Sequence, residues 1–254
     1  MSSKTRKITS GTKEWADSNV NCYSGCSNNC RYCYAKKMAI RFNRKSENNW
    51  QEMEPNKKSI NKEYRKRNGR VMFPTSHDIT DESLLNCLRV LKKLIDSENE
   101  VLITTKPRLK CVKIICNNFW NRRDLIQFRF TITSINDNLL KFWEPRAPPF
   151  KERFESLKYA YKQEYKTSIS IEPFLDKDPF ILVKKLIPFV TESIWIGKMN
   201  YIASSKNISY QEKIYFDKIR NYVSKENLQN ILKTAKKYSQ IIRIKDSIHN
   251  FLLK

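Results

Sequence analysis

The chain's 254 residues, 40% of them hydrophobic and 12% aromatic, suffice to bury one full domain core, alone or with a small appendage, and exclude a globally disordered protein. No apolar run approaches the length of a membrane span, and the basic opening Met-Ser-Ser-Lys-Thr-Arg-Lys has no apolar segment behind it, so neither a membrane nor a secretory signal is expected. The net charge of +23 points to a polyanion, most simply nucleic acid, although the Lys-, Ile- and Asn-rich coding of an AT-rich genome, with only four glycines, gives the same balance.

Residues 1–14 read as a basic tail. Residues 15–23 are expected to form a first strand and its approach to a cysteine-rich loop, and residues 35–42 a helix that exposes Lys36, Lys37 and Arg41. Residues 43–69 are basic and almost aperiodic. A stretch of that length inside a compact domain marks a lid, a binding loop, disorder or a solvated insertion. From residue 70 a strand–helix rhythm sets in. Strands are expected over 70–74, 100–105, 127–133, 166–171 and 192–197, and helices over 80–94, 109–120, 137–143, 150–165 and 179–190. Thr80-Asp-Glu-Ser opens its helix with a cap and early acids. Strands alternating with helices imply right-handed βαβ units and a parallel sheet, an α/β fold. Counting the cysteine-loop strand, the sheet should have six strands. Residues 201–254 read as an extension packed on this unit: a helix over 210–237, a short strand over 241–244 and a last helix over 247–253.

Four of the seven cysteines lie between residues 20 and 35. A disulfide framework does not fit that crowding, and a reducing cytoplasm does. Cys26, Cys30 and Cys33 are spaced C-x3-C-x2-C, and three thiolates on one tight loop can hold three irons of a [4Fe-4S] cluster, leaving a fourth iron open. The rival site adds Cys22 as a fourth ligand, for zinc or a closed cluster, but lacks the paired C-x2-C knuckles and long insert of common zinc sites. Four unligated cysteines are the plainest alternative. Cys22 is expected to be a small buried residue, as are Cys87, Cys111 and Cys116 on their helices.

The three-cysteine motif, with Tyr32 in its aromatic place, resembles that of the radical S-adenosylmethionine (radical SAM) superfamily. Residues 25–35, Gly-Cys-Ser-Asn-Asn-Cys-Arg-Tyr-Cys-Tyr-Ala, are similar to the form found in its spore photoproduct lyase-like (DNA repair photolyase-like) branch. So are Thr104-Thr-Lys-Pro107, Thr133-Ser134 and Glu144-Pro-Arg-Ala-Pro148 with Glu152-Arg153. The likeness covers about residues 18–200. It implies an open partial (β/α)6 TIM-type barrel over 15–200, interrupted by the basic insertion 43–69. It also implies a [4Fe-4S] cluster on Cys26, Cys30 and Cys33, and S-adenosyl-L-methionine as cofactor. The implied chemistry is reductive cleavage to methionine and a 5′-deoxyadenosyl radical that abstracts hydrogen from a substrate. An electron donor of flavodoxin or ferredoxin type and a DNA or RNA substrate follow as partners, with the lyase or transferase subclass open. The lyase's own hydrogen-donating cysteine has no counterpart in residues 70–80, so its reaction is not carried over.

Ligands of parallel α/β folds bind at the carboxyl ends of the strands, where Lys106, Ser134, Glu172 and Asn200 are expected. Lys106 can pair with the cofactor carboxylate, Ser134 with ribose or ammonium, and Glu172 with ammonium or ribose hydroxyls. The resemblance places the Tyr32 backbone at the adenine edge and Ser76, His77 and Asp78 near the methionine end. His77 and Asp78 are also candidates for an acid–base pair. The other readings of the chain are a non-catalytic iron–sulfur or zinc nucleic-acid-binding module, and radical modification of a protein or metabolite.

Overall fold

The computed structural model describes residues 11–202 and 209–253. The first ten residues of the expected basic tail, residues 203–208 of the extension and Lys254 lie outside the described residues. In chain order the chain forms β1 (Ser18–Asn19), β2 (Tyr23–Ser24), α1 (Tyr34–Arg41), β3 (Glu54–Pro55), α2 (Lys57–Asn61), β4 (Val71–Phe73), α3 (Leu84–Asp96), β5 (Val101–Thr105), α4 (Leu109–Asn118) and β6 (Ile126–Thr131). There follow α5 (Asp137–Trp143), α6 (Phe150–Lys162), β7 (Lys166–Ile171), α7 (Phe180–Leu186), β8 (Ile194–Ile196), α8 (Tyr210–Tyr222), α9 (Lys225–Ala235), β9 (Ile242–Ile244) and α10 (Asp246–Leu252).

Seven of the strands form one all-parallel, curled sheet in the order β1-β4-β5-β6-β7-β8-β9, a partial TIM-type barrel. The strands are rich in β-branched and aromatic residues and alternate between two buried environments. Phe73, Ile103, Phe128, Phe130, Ile169, Ile171, Ile194 and Ile196 are fully buried in the main core. Met72, Thr104, Thr131 and Ser170 point the other way, into a cavity. The helices that cover the outer face are amphipathic. In α3 the buried residues Leu84, Cys87, Val90, Leu91, Leu94 and Ile95 recur every three or four positions and make one stripe. Truncating a fully buried member such as Leu91 to Ala costs about 2–5 kcal/mol. Cys111 and Cys116 lie in the corresponding stripe of α4.

The sheet has one strand more than the six counted from the sequence. β9 pairs parallel with β8, Ile194 opposite Ile242 and Ile196 opposite Ile244, so part of the chain beyond residue 200 belongs to the sheet. The strand expected over 15–23 is instead split: β1 joins the sheet, and β2 turns away to pair antiparallel with β3. The helix expected over 210–237 is two helices, broken where the Ser224 side chain caps α9 at Asn227 N–H. Residues 43–69 are mostly exposed, but they carry β3 and α2 and are anchored at a few points. Trp50, Ile60 and Tyr64 are buried, and the Lys45 ammonium is buried against Glu54 at 2.5 Å. The segment packs under the cysteine loop and against α3.

The open seam of the partial barrel lies between its edge strands β1 and β9. A 3-10 turn at Gly11–Glu14 crosses it. Lys245, just past β9, donates to Gly11 O at 2.9 Å and pairs with Glu14 at 2.8 Å. At the other edge Asp17 accepts from Arg70 N–H at 3.0 Å. Trp15 between them sits 4.8 Å from the buried Arg129 guanidinium and 4.3 Å from the Lys245 ammonium.

Candidate active site at the carboxyl ends of the strands

The loops leaving β4, β5, β7 and β8 surround a cavity of about 500 Å³, and the cysteine loop forms one wall. That volume suits a cofactor-sized ligand. The loop's path is set by backbone constraints. Gly25 has φ +90°, and a Cβ there would lie 2.4 Å from Glu52 O and 2.7 Å from Trp50 O, so only glycine passes under residues 50–52. Cys26 N–H then donates to Trp50 O at 3.0 Å, and Cys33 N–H to Cys30 O at 3.2 Å. Cys33 caps α1, its sulfur accepting from Lys36 N–H at 3.4 Å. Opposite, Arg31 N–H donates to Trp143 O at 2.9 Å and ties the loop to the end of α5.

The thiols of Cys26, Cys30 and Cys33 all line the cavity and are free. Burial, the largest influence, pushes Cys26 up to about 12, with the Asp78 carboxylate adding to it. Burial likewise lifts Cys30 well above and Cys33 above the ordinary thiol value. A bound cation reverses that preference, since coordination deprotonates a thiol outright. Among the described residues no group of three Cys, His, Asp or Glu converges as ligands of one metal ion. Cys22 does not extend the set. Its sulfur lies 3.6 Å from Cys87 Sγ and 3.8 Å from His77 Nε2, fully buried in the main core. The four-thiolate alternative therefore lacks its fourth ligand.

Two buried carboxylates organise the wall behind the thiols. Asp78 Oδ1 accepts from Lys106 N–H at 2.6 Å and Thr105 Oγ1 at 3.1 Å. Its Oδ2 accepts from Asn28 at 2.8 Å and faces Cys26 Sγ at 3.8 Å. The Lys106 ammonium stands 3.7 Å from Oδ2 and 5.7 Å from the Tyr32 ring centre. Burial alone would raise Asp78, but Lys106 and the donated hydrogen bonds outweigh it and hold the carboxyl below its usual range. Burial would likewise lower Lys106. The Asp78 carboxylate, with the Glu144 carboxylate behind it, holds it well above the usual lysine value, so it is an ammonium. The second carboxylate, Glu144, accepts from Tyr32 OH and from Thr133 Oγ1 (2.7 Å) and pairs with Arg153; Thr133, Glu144 and Arg153 are fully buried and Tyr32 is half-buried. Arg153 also donates to Pro148 O at 2.7 Å. The Glu144 and Arg153 segments carry the branch-like motif, with no role evident from the residues alone. The structure shows that they clamp Tyr32, the aromatic of the cysteine motif, from beneath.

On the far wall Glu172 follows β7. Its carboxylate is 3.8 Å from Lys245, too long for a hydrogen bond, and burial raises its pKa despite that cation. Asn200 accepts from Lys198 at 3.1 Å. Tyr32, Ser76, His77, Asp78, Lys106, Glu172 and Asn200 therefore all line the one cavity. Ser134 does not. It is fully buried, donating to Asp176 at 2.8 Å and accepting from Asn136 N–H at 2.8 Å, as a turn hydroxyl does. His77 and Asp78 do not form an acid–base dyad. Cys22 N–H donates to His77 Nε2 at 3.3 Å, which leaves the proton on Nδ1, facing the Asp78 backbone carbonyl at 3.1 Å. Lys245 and Trp15 also line the cavity and were not singled out from the sequence. Each lies on the seam, where strand periodicity carries no signal.

Residues 20–176 match the family model described as the radical SAM superfamily. An uncharacterised protein of Methanocaldococcus jannaschii is 26% identical over 226 residues, covering 86% of this chain and 85% of its own. Streptococcus suis SuiB bound to S-adenosylmethionine superposes with a TM-score of 0.52 at 12% identity, covering 90% of this chain and 46% of SuiB. A spore photoproduct lyase variant with AdoMet and dinucleoside spore photoproduct bound gives 0.52 at 16% identity, covering 85% of this chain and 64% of the lyase. The structural likenesses establish a shared fold, and the family model spans more than half of the sequence. The chain belongs to the radical SAM superfamily of enzymes.

Proposed function

We propose that Cys26, Cys30 and Cys33 hold a [4Fe-4S] cluster, that S-adenosyl-L-methionine occupies the cavity beside it, and that the substrate is a nucleic acid. The observation that carries this reading is the cavity itself. Its three free thiols share it with a lysine held as an ammonium and with a carboxylate, Glu172, that Lys245 faces from 3.8 Å, beyond hydrogen-bond distance. When bound, the cluster and cofactor supply one-electron cleavage to methionine and a 5′-deoxyadenosyl radical, chemistry that no side chain can perform.

The chain's own groups bind, aim and exclude water. Lys106 has three donor hydrogens and spends none of them on a short contact with Asp78, so it can meet the cofactor carboxylate while Asp78 holds its position. Glu172, on the opposite wall, suits the ammonium or the ribose hydroxyls. Asn200 adds an amide at the rim. Tyr32, fixed by Glu144, presents its backbone to the adenine. Trp15 and the seam close the barrel floor against solvent, which a reactive radical requires. The substrate reading rests on the net charge of +23. An acidic electron donor of flavodoxin or ferredoxin type would reduce the cluster. No helix among the described residues is long and apolar enough to cross a membrane.

The test is anaerobic. The reconstituted, dithionite-reduced protein is given S-adenosyl-L-methionine and assayed for 5′-deoxyadenosine. Slow release without substrate is expected. None from a fully loaded, reducible cluster would overturn the reading in favour of the non-catalytic module. Salt-sensitive binding of oligonucleotides tests the substrate class, and no binding at low salt would remove it.

A further inference from the structure

The mouth of the cavity carries an aromatic pair that the catalytic reading does not use. Tyr34, the first residue of α1, is 57% exposed, and Tyr201, beyond β8, is 46% exposed. Their rings stack on each other at 5.9 Å and 25°. Both line the cavity. Lys37 lies 4.7 Å over the Tyr201 ring and donates to Tyr201 O at 3.4 Å, which fixes the pair across the opening. Large aromatic rings left in water at a cavity mouth leave apolar faces available to a ligand.

The same helix continues the feature outward. Lys37 and Arg41 follow Tyr34 at three and seven positions, so all three share one face over about 10 Å of helix rise. At its end Phe42 is 58% exposed, with the Arg41 and Arg44 guanidinium groups 5.8 Å and 5.6 Å from its ring centre. The nearby acid Glu47 pairs with Lys36, at 2.5 Å. The strip thus alternates aromatic faces with cations and leads to the opening beside the cysteine loop.

We propose that Tyr34, Tyr201, Lys37, Arg41, Phe42 and Arg44 form a landing strip for a single-stranded polynucleotide. A base stacks on the tyrosine pair at the mouth, and the phosphates follow α1. The inference deepens the nucleic-acid reading above and rests on it. The chemistry selects a single strand or an extruded nucleotide, because only unstacked bases offer their faces to aromatic rings, whereas a closed duplex offers only phosphates. The alternation of rings with cations is what ties the strip to this occupant, since phosphates alone would need no aromatic faces.

The experiment is fluorescence anisotropy on the full chain, carrying its cluster, with labelled strands of about 15 nucleotides, a length near the upper site sizes of single-strand binders. DNA and RNA strands and the matching duplex are compared over a salt series. Wild type is expected to prefer the single strand. Tyr34→Ala with Tyr201→Ala should weaken that binding at least about 5-fold without changing its salt slope. Arg41→Gln with Arg44→Gln should lower the slope by about 1.4, two phosphates' worth for a single strand. Melting temperature and iron content control for folding, and the exposed Phe42→Ala serves as an independent third variant. If wild type binds single strands and every variant binds alike, the strip is refuted while the nucleic-acid reading stands. If wild type binds no polynucleotide at low salt, that reading falls and the strip with it. If the variants bind strands normally but slow reduction by a flavodoxin-type donor, the surface belongs to a protein partner and the proposal is wrong.

Discussion

The Glu144–Arg153 pair makes a demanding test of how the cysteine loop is held. Both side chains are fully buried, and the pair sits beneath Tyr32. Replacing Arg153 with Leu keeps the volume but leaves Glu144 charged in the interior. Its remaining support is two hydroxyl donors and the more distant Lys106, and Pro148 O loses a 2.7 Å donor. Breaking a buried pair from one side costs about 3–5 kcal/mol. At about 2–4 °C per kcal/mol for a chain of this size, the melting temperature should fall by roughly 6–20 °C. Replacing both partners with Leu should recover part of that loss, because no orphan charge remains. The pH dependence gives a second readout. In the wild type, burial would raise Glu144, but Arg153 first, then Lys106 and the Tyr32 and Thr133 hydroxyls, hold it below the usual range. A depressed carboxylate contributes stability above its unfolded value of about 4.3, and the contribution disappears as pH falls through the folded value. Without Arg153, burial dominates and the folded value rises above the unfolded one, so stability should then fall as pH increases through it. Urea or thermal melts of the anaerobic protein between acid and neutral pH measure both effects. A loss below about 1 kcal/mol, or a pH slope unchanged from the wild type, would refute the clamp.

Cys30→Ala should strip the reconstituted protein of cluster absorbance and most bound iron, whereas Cys22→Ala, aimed at Cys87, should leave iron content unchanged. Iron lost equally in both variants would restore the four-thiolate reading. Gly25→Ala forces a Cβ onto the Glu52 and Trp50 carbonyls at positive φ, and should cost about 1–3 kcal/mol and impair cluster loading; a melt matching wild type would show that residues 50–52 can yield. Lys106→Met should weaken S-adenosyl-L-methionine binding about 10- to 100-fold by equilibrium dialysis, the worth of one charge-assisted bond, and unchanged affinity would place the carboxylate elsewhere. The same variant removes the main support of the Asp78 carboxylate. The stability that Asp78 contributes above an unfolded value near 3.9, lost in wild type only as pH falls through a lower folded value, should then be lost at higher pH.

The parts of this molecule that repeat were legible in the sequence. Strand–helix alternation from residue 70 onward is a periodic signal, and the cysteine spacing is local, so the parallel sheet and the three-thiol loop could both be read from the residues. Position past a strand end predicted that Lys106, Glu172 and Asn200 reach the cavity. It failed for Ser134, because proximity to a strand end does not fix side-chain direction, and here the hydroxyl turns back to Asp176. Residues 43–69 gave no periodic signal because their anchoring hangs on isolated buried residues, Lys45, Trp50, Ile60 and Tyr64, with no common period. β9 has three residues, Ile242–Ile244, and only its pairing with β8 makes it part of the sheet. Lys245 was invisible for a related reason. Its importance comes from the seam, a contact between the two ends of the chain that no local pattern encodes.

That seam explains why the two walls of the cavity differ electrostatically. An open parallel sheet leaves two edges with unpaired backbone groups. Here the gap between them is bridged by residues 11–17, and the bridge needs an anchor that can reach across it. Lys245 is that anchor, and it spends its short contacts on Gly11 O and Glu14. Glu172 receives a distant share of the same cation, and burial outweighs it and lifts its pKa. Asp78, on the thiol side, has three donors and a lysine, which hold its carboxyl below the usual range. One wall is thus electrostatically complete before any ligand arrives, and the other is not. A ligand with a hydroxyl or ammonium to offer gains most by facing Glu172, because it relieves a cost already incurred in folding. Closing the barrel with a lysine just past the last strand therefore leaves the two walls of the cavity unequal in charge compensation.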